Sequence, residues 1–458
     1  AEATTLKESM AATKAAEEKA AAAGVEAAST STKSAASTTS ASSTSKEGRA
    51  NTRLRSAAEL LAAWELNQND VSIGHVIGEG GQASVHVGRW MGMEVAIKQM
   101  RSSRLSSINE AVAAARLTAI KQTIRREVRA LARVRHSNVV RLFGACIEVE
   151  QPLVVMAYAP NGSLQVALED GSIDATNIAN VVALLGGIAR GMEAVHAHKL
   201  IHLDLKPDNI LLGPENVPWV TDFGLSTSTN QGSMSSSMVG GRGTLYFKPP
   251  EMFADGAKIT QKADVYSYAI LAWAVLTGER PWSTLKSADT QLFAIHAKGV
   301  RRPELADGTD WQDATTPVLA KLIKACWAQG SEERPAFGGG DGIVSQLDAI
   351  AGRMLKLGDE EAIEALADRV FAAECEVVAA QDLMKEYDHA VEEDDAPSLL
   401  TAAQEHELKD EREGLMVTME CAARASQVAQ SQLLKATGKD DAMQQIMLMI
   451  QTMRDEQK

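Results

Sequence analysis

Cysteine is scarce in this sequence: four residues, Cys146, Cys326, Cys375 and Cys421, stand far apart with no C-x-x-C pair among them. That spacing argues against a disulfide scaffold or a zinc site and fits a reducing compartment. Long apolar runs are missing as well. No stretch approaches the ~18 apolar residues that cross a bilayer, and the N-terminus lacks the apolar core of a secretory signal. A cytoplasmic location is expected, with the nucleus left open. The third absence is a basic surplus. The formal net charge is −14, and residues 351–458 account for most of it with 11 Lys and Arg against 24 Asp and Glu. Residues 1–50 hold 6 of each sign and 51–350 hold 29 against 30, so no part looks like a nucleic-acid-binding domain.

What is present suffices for two or three domains, since 458 residues at 45% hydrophobic content can bury a sizeable core. Residues 1–28 are alanine-rich with Lys and Glu, and Ser29–Ser45 is nearly all Ser, Thr and Ala. Neither part can bury enough apolar surface to offset ordering entropy. Residues 1–50 are therefore expected to be a disordered tail, either a plain linker or a phosphorylated regulatory segment. Leu54–Leu66 has helical apolar spacing through Leu60, Leu61 and Trp64, and is expected to pack on the back of the first folded lobe.

Four stretches then carry chemistry. Val76–Val87 reads as strand, glycine turn, strand, I-G-E-G-G-Q-A-S-V, in which small residues let backbone amides approach a phosphate chain. Glu94–Lys98, E-V-A-I-K, is a β-branched strand ending in a lysine. Ile201–Asn209, I-H-L-D-L-K-P-D-N, places Asp204, Lys206 and Asn209 within six positions, ahead of strand-like Ile210–Leu212. These are a base, a cation and a metal ligand of the kind phosphoryl transfer needs. Thirteen residues beyond Asn209, after the short strand Trp219–Thr221, comes D-F-G at Asp222–Gly224.

In this order and spacing the motifs resemble those of eukaryotic protein kinases, over about Trp64 to Ile350. Trp64-Glu65-Leu66 followed by Asp70-Val71-Ser72-Ile73-Gly74 is similar to the lead-in of the tyrosine kinase-like serine/threonine branch. The resemblance implies an α+β, bilobal fold within residues 51–350, with a small β-rich lobe at about 70–159 and a larger helical lobe at about 160–350. It implies ATP and Mg2+ as cofactors and protein Ser/Thr hydroxyls as acceptors. Carried over by position, the ATP site comprises Ile77, Gly78, Glu79, Gly80, Gly81, Gln82, Ala83, Val85, Ala96, Lys98, Glu127, Met156, Ala157, Ala159 and Leu211. Lys98 would hold the α- and β-phosphates, fixed by Glu127; Met156 would guard the adenine pocket, with backbone groups of Ala157 and Ala159 on the adenine edge. Asp204 and Lys206 would be catalytic, with Asn209 and Asp222 on the metal. Lys206, together with Gly243-Thr244 ahead of P-P-E, resembles the serine/threonine type. Glu251 and Arg334 are expected to form a structural ion pair, and Asp264 to hold the catalytic-loop backbone.

Some positions depart from the family pattern. Ala83 replaces the third glycine, Gln82 the aromatic at the loop tip, Pro249 the alanine before Pro250-Glu251, and Leu203 the arginine that in many kinases pairs a phosphorylated activation segment. A pseudokinase scaffold is the alternative that such departures allow. Arg101–Ile120 is an insertion, with a Ser107/Glu110 capping box opening a helix that runs to about Val134. Its basic residues, Arg116, Lys121, Arg125, Arg126, Arg129 and Arg133, with Arg135 beyond it, suit a solvated face or a docking surface for an acidic partner. Thr176–His198 reads as an amphipathic helix, and Ser226–Gly243 as a mobile activation segment. The chain opens on Ala1 rather than Met, as a processed or incomplete chain does, and an upstream receptor portion stays open.

From Ile363 apolar positions step by three and four through Leu366, Val370, Ala373, Val377, Ala380, Met384, Tyr387 and Val391, a coiled-coil-like seam. Glu392–Asp395 and Pro397 break it, and a second helix over about 398–436 carries a looser seam through Leu408, Leu415, Met419 and Ala422. Residues 351–458 are thus read as an acidic helical segment: either a hairpin folded back on itself, or a module for self-association or a coiled-coil partner through 363–391. The alanines at 373 and 380 leave little area for a self-sufficient dimer, which favours a hairpin docked near the large lobe and a monomer.

Overall fold

The computed structural model describes residues 64–80, 83–101, 110–228, 234–235, 245–254, 256–282, 302–303, 305, 316–354, 370–371, 373–378, 380–382, 384–385, 412, 416 and 419–433. The tail 1–50, Leu60 and Leu61, Gly81 and Gln82, Ser107, most of 226–243, Thr244, and seam positions Ile363, Leu366, Tyr387, Val391, Leu408 and Leu415 lie outside the described residues.

Five antiparallel strands form the first lobe: β1 (Val71–Glu79), β2 (Ala83–Trp90), β3 (Met93–Met100), β4 (Leu142–Cys146) and β5 (Leu153–Ala157), in the order β1-β2-β3-β5-β4. Alternation along β3 divides its side chains between two faces. Val95 and Ile97 pack with Cys146, Leu153 and Val155 on one face, while Ala96 and Met100 join the core that includes Val154, Met156 and helix α1 on the other. Helix α1 (Glu110–Arg133) contributes Ile124, Val128 and Leu131 to that core, each buried side chain stabilising the lobe by ~1.5–3 kcal/mol. Its basic face is solvated at Arg116, Arg126 and Arg129, while Lys121 and Arg125 both reach Glu148.

The helix expected over Leu54–Leu66 does not extend through its last residues. Leu66 N–H donates to Ala145 O and Ala145 N–H to Trp64 O, both at 2.8 Å, so this backbone covers the otherwise open edge of β4. Glu65 adds a side-chain acceptor for Ile147 N–H at 3.0 Å.

The second lobe is built on α3 (Ile178–Ala197), which follows the short helix α2 (Leu164–Glu169) and is capped by Asn177, whose side-chain oxygen accepts from Asn180 N–H. By length and composition α3 is apolar enough to cross a membrane, with a mean hydropathy of 1.4, but 72% of that window is buried inside the fold, as a core helix is. Helix α4 (Lys262–Thr277) packs beside it, with Tyr268 Oη donating to Leu185 O at 2.9 Å, and Gly278 at φ 68° ends α4. Helices α5 (Thr316–Cys326) and α6 (Ile343–Met354) complete the core, α6 running four residues past the boundary expected at Ile350. Arg334 is fully buried against Glu251 through a two-pronged pair at 2.6 and 2.9 Å, as expected.

Beyond α6, the described residues between 370 and 385 and those at 419–433 are helical. Seam residues Val370, Ala373, Val377 and Ala380 are buried, as are Ala422, Ala429 and Leu433. Glu374 accepts from Ser426 Oγ and from Gln430 Nε2, which ties the two runs together.

Candidate active site

The cleft is lined by short strands that follow α3: β6 (Leu200–Ile201), β7 (Ile210–Leu212), β8 (Pro218–Val220) and β9 (Thr227–Ser228). β7 and β8 form a hairpin that fixes Asn209 before it and Asp222 after it, and Thr221 N–H donates to Asn209 O at 3.0 Å. The catalytic loop and D-F-G thereby share one hairpin as support.

Three charged groups meet at Lys98. Its ammonium lies 2.7 Å from Glu127 Oε1 on α1 and 2.9 Å from Asp222 Oδ1. The two carboxylates differ in surroundings: the Glu127 side chain is 2% exposed and that of Asp222 42%. Burial raises the Glu127 pKa despite the pull of Lys98. At Asp222 the burial cost is outweighed by the charge and hydrogen bond of Lys98, and the pKa falls. Burial alone would lower the pKa of Lys98, but the two carboxylates together raise it, so the group stays an ammonium throughout the neutral range.

The catalytic loop is held from below by Asp264 of α4, fully buried. Its carboxylate accepts from His202 N–H, Leu203 N–H and His196 Nε2, each at 2.8 Å. The burial cost at Asp264 is more than offset by these partners, the His196 hydrogen bond foremost, and its pKa is lowered. This clamp fixes Leu203 at φ 69°, a left-handed conformation that a leucine adopts only under constraint. Asp204 follows, with Lys206 Nζ 3.1 Å from its Oδ2. Asn209 Nδ2 donates to Asp204 O at 2.7 Å and to Asp204 Oδ2 at 3.0 Å, so its amide oxygen is the atom left to face a cation.

At the nucleotide end, Val85 pairs with Lys98 across β2 and β3, and Ala96 with Met156 across β3 and β5. Met156 is buried, Leu211 on β7 half-buried, and Ile77 exposed on the strand that leads through Gly78 and Glu79 to the turn. There Gly80 N–H donates to Ala83 O at 2.8 Å. Ala157 N–H is engaged by Arg141 O at 2.9 Å, which leaves its carbonyl for an adenine edge. Ala159 O accepts from Gly162 N–H at 3.3 Å, which leaves its N–H. Of the expected set, the structure brings Lys98, Glu127 and Asp222 into contact with one another, and Asp204 with Lys206 and Asn209; the other described members fall on β1, β2, β3, β5, β7 and the residues just after β1 and β5.

Three residues had gone without a role. His202 is fully buried, donates from Nε2 to Thr221 O at 2.9 Å, and packs on Phe223 with ring centroids 4.9 Å apart, linking the two motifs. It stood inside the catalytic-loop motif, which was the available signal. His196 meets Asp264 across 68 positions and carries no local sign. Lys248 is 5% exposed beside Asp204. Burial lowers its pKa against the attraction of Asp204, with Lys206 adding to the fall. A lone charge in L-Y-F-K-P-P marked it.

Comparison with known proteins agrees with this geometry. The protein kinase domain model matches residues 71–339. A probable serine/threonine-protein kinase of Dictyostelium discoideum is 34% identical over 273 residues, 60% of this chain and 27% of that protein. Serine/threonine-protein kinase STY46 of Arabidopsis thaliana is 30% identical over 300 residues, 65% of this chain and 47% of that protein. Serine/threonine/tyrosine-protein kinase HT1 of the same plant is 29% identical over 285 residues, 62% of this chain and 68% of that protein. The chain thus spans less than half the length of the first two. With the Lys98 triad, the catalytic loop and D-F-G brought together, the chain belongs to the protein kinase family.

Proposed function

We propose that this chain is an active serine/threonine kinase that transfers the γ-phosphoryl group of Mg-ATP to protein hydroxyls. The observation that carries the reading is the Lys98 ammonium held between Glu127 and Asp222, in the same cleft as Asp204, Lys206 and Asn209. A pseudokinase would be free to lose any of these, and all five family positions, Lys98, Glu127, Asp204, Asn209 and Asp222, are intact.

Kinases position two reactants and offset charge rather than form bonds to phosphate. Lys98 would bind phosphate oxygens with its orientation set by Glu127. Asp204 would accept the proton of the acceptor hydroxyl and orient it for in-line attack, and Lys206, 3.1 Å away, would offset charge on the transferred group. Among the described residues no three His, Cys, Asp or Glu side chains cluster as an all-protein metal site. The donor set nevertheless fits magnesium, which takes one or two protein oxygens and completes its shell with phosphate and water. Asp222 offers a part-exposed carboxylate and Asn209 an amide oxygen whose nitrogen is already committed. Magnesium held there by Asn209 and Asp222 would supply positive charge to offset the negative charge of the phosphates.

The catalytic loop is of the type that lacks arginine before Asp204. Leu203 is buried instead in an apolar cluster with Ile201, Met252, Ile259 and Ala263, against Leu225 and Phe253. Strand β10 (Met234–Ser235) of the activation segment pairs with β11 (Lys258–Ile259) beside that cluster. This supports ordering of the segment by apolar burial and strand pairing without a phosphate-arginine contact. The acceptors are serine and threonine. Lys206 supports this choice, and the names of HT1 and of other relatives that include tyrosine make it a matter for measurement. Free cysteines, two of them buried, fit the cytoplasm.

The test is incorporation of radiolabelled phosphate from ATP and Mg2+ into a generic basic protein, beside an Asp204→Asn control. Wild-type protein should transfer label and the control should not. Equal incorporation, or none in either, would overturn the proposal.

A further inference from the structure

Residues 134–140 join α1, which carries Glu127, to β4. They are also laced to the strand that precedes Asp222. Val220 N–H donates to Asn138 O at 2.9 Å, Val140 N–H to Val220 O at 3.0 Å, and Asn138 Nδ2 to Pro218 O at 3.0 Å. Both carboxylates that hold Lys98 are therefore mechanically connected to this one loop. It lies so close to α3 that a Cβ at Gly191 would stand 2.5 Å from Asn138 O, and one at Gly187 3.1 Å from Asn138 Nδ2.

Onto this loop comes Glu376, from the helical residues beyond the kinase domain. Its Oε1 accepts from Ser137 N–H at 2.8 Å, and its Oε2 lies 3.8 Å from His136 Nε2. Burial lowers the His136 pKa against the pull of Glu376, so the imidazole is uncharged at neutral pH and the backbone N–H is the contact that counts. The run carrying Glu376 is itself fastened to the large lobe. Through Glu374 it holds Ser426 and Gln430 of the second run. That second run places Arg424 Nη1 2.8 Å from Glu193 Oε1 on α3, and Gln432 donates to Asp348 O on α6 at 2.8 Å. Val370, Val377, Ala429 and Leu433 are buried along the way. A polar arm anchored on one lobe thus grips a loop belonging to the other.

We infer that Glu376 is a positioning residue for phosphotransfer: the C-terminal helices act in cis as a buttress that holds 134–140 where Glu127 and Asp222 both reach Lys98. The catalytic consequence rests on the kinase reading above; the mechanical one does not. A carboxylate does this better than a neutral acceptor because its hydrogen bond to an amide is charge-assisted. The amide oxygen of glutamine would retain part of the grip and the methyl of alanine none.

The experiment compares full-length wild type with Glu376→Ala, Glu376→Gln and Asp204→Asn, by hydrogen exchange over residues 124–142 and by steady-state kinetics in ATP. Because Glu376 is a part-exposed surface side chain, the variants should fold. In Glu376→Ala, exchange at 134–140 should quicken about tenfold, and kcat/KM for ATP should fall about five- to tenfold, mostly through KM, as loss of one charge-assisted bond allows. Glu376→Gln should lie between it and wild type. Asp204→Asn should lose turnover yet keep wild-type exchange, which separates positioning from chemistry. If wild type transfers no phosphate, the exchange difference alone still supports the buttress. Unchanged exchange in Glu376→Ala overturns it, as does an equal fall in melting temperature and kcat for both Glu376 variants with KM unmoved, the mark of a merely structural role.

Discussion

Lys98→Met tests the site through stability alone, without reference to turnover. Methionine nearly matches the volume of the lysine stem, so packing is kept and the ammonium is lost. Asp222, with 42% of its side chain exposed, can be solvated in its place. Glu127, at 2%, cannot. Removing one partner of a buried ion pair costs about 3–5 kcal/mol. That cost is capped, because burial already raises the Glu127 pKa above its ordinary 4.5 and the loss of Lys98 raises it further. The folded variant then holds a proton that the unfolded chain releases. Between the unfolded and folded pKa values the folded state binds more protons, so stability falls as pH rises, by ~1.4 kcal/mol per unit. We expect Lys98→Met to be about 3 kcal/mol less stable than wild type at pH 8 and to recover on lowering the pH toward 6. Adding Glu127→Gln removes the titrating group, so the double variant should regain stability and lose the slope. Urea unfolding followed by tryptophan fluorescence at pH 6, 7 and 8 measures all three proteins. A Lys98→Met variant as stable as wild type at pH 8, with no extra pH dependence, would refute the buried pair.

Asp204→Asn and Asp222→Asn should each lower phosphotransfer by several powers of ten while leaving the fold intact; a variant that keeps more than about a tenth of the wild-type rate, ~1.4 kcal/mol in barrier, shows that its residue is misassigned. Phosphoamino-acid analysis of the labelled product should give phosphoserine and phosphothreonine, and mainly phosphotyrosine would reverse the acceptor assignment. Asp264→Asn should cost about 3 kcal/mol at pH 7, since an amide cannot accept all three donors of the loop clamp. Because the Asp264 pKa is lowered from 3.8, its contribution is present above that value and is lost as pH falls through the folded pKa, so the gap to wild type in urea melts should narrow in acid. Light scattering of the full chain should report a monomer at dilute concentration; a stable dimer that Val377→Asp dissolves would show the seam is an interface between copies.

The parts of the site legible in the sequence are those whose geometry is local. Asp204, Lys206 and Asn209 sit within six positions of one loop, and a three-residue strand follows, so residue type and spacing nearly determine which groups converge. Glu127 and Asp264 needed the family pattern, because the partners they meet, Lys98 and the 202–203 backbone, lie 29 and about 60 positions away. Beyond that the pattern was silent. Nothing near His196 announces a carboxylate 68 residues on. The spacing of Leu60, Leu61 and Trp64 read as helical over Leu54–Leu66, but apolar spacing does not say where a helix stops, and at Trp64–Leu66 the unpaired edge of β4 decided it. Likewise the 3–4 step agrees with the helix and buried stripe seen at its described positions Val370, Ala373, Val377 and Ala380. The spacing carried that information without saying what the stripe packs against.

The two acids on Lys98 show why one ammonium is given two carboxylates rather than one. An ion pair with Glu127 alone would be satisfied, rigid and closed, since neither group could leave it without exposing a buried charge. Asp222 shares the same nitrogen at nearly the same distance, but water covers nearly half of it and its own pKa is lowered. Releasing Asp222 from Lys98 costs only a partly screened contact, because solvent or another cation takes over at once. Releasing Glu127 costs the desolvation of a carboxylate with nowhere to go. The ammonium is therefore held in place from the buried side and is free to change partners on the open one. A group that must meet phosphate without losing its own orientation requires that asymmetry, and it arises here from nothing more than which carboxylate sits on the packed face of α1 and which follows β8 with its side chain partly open.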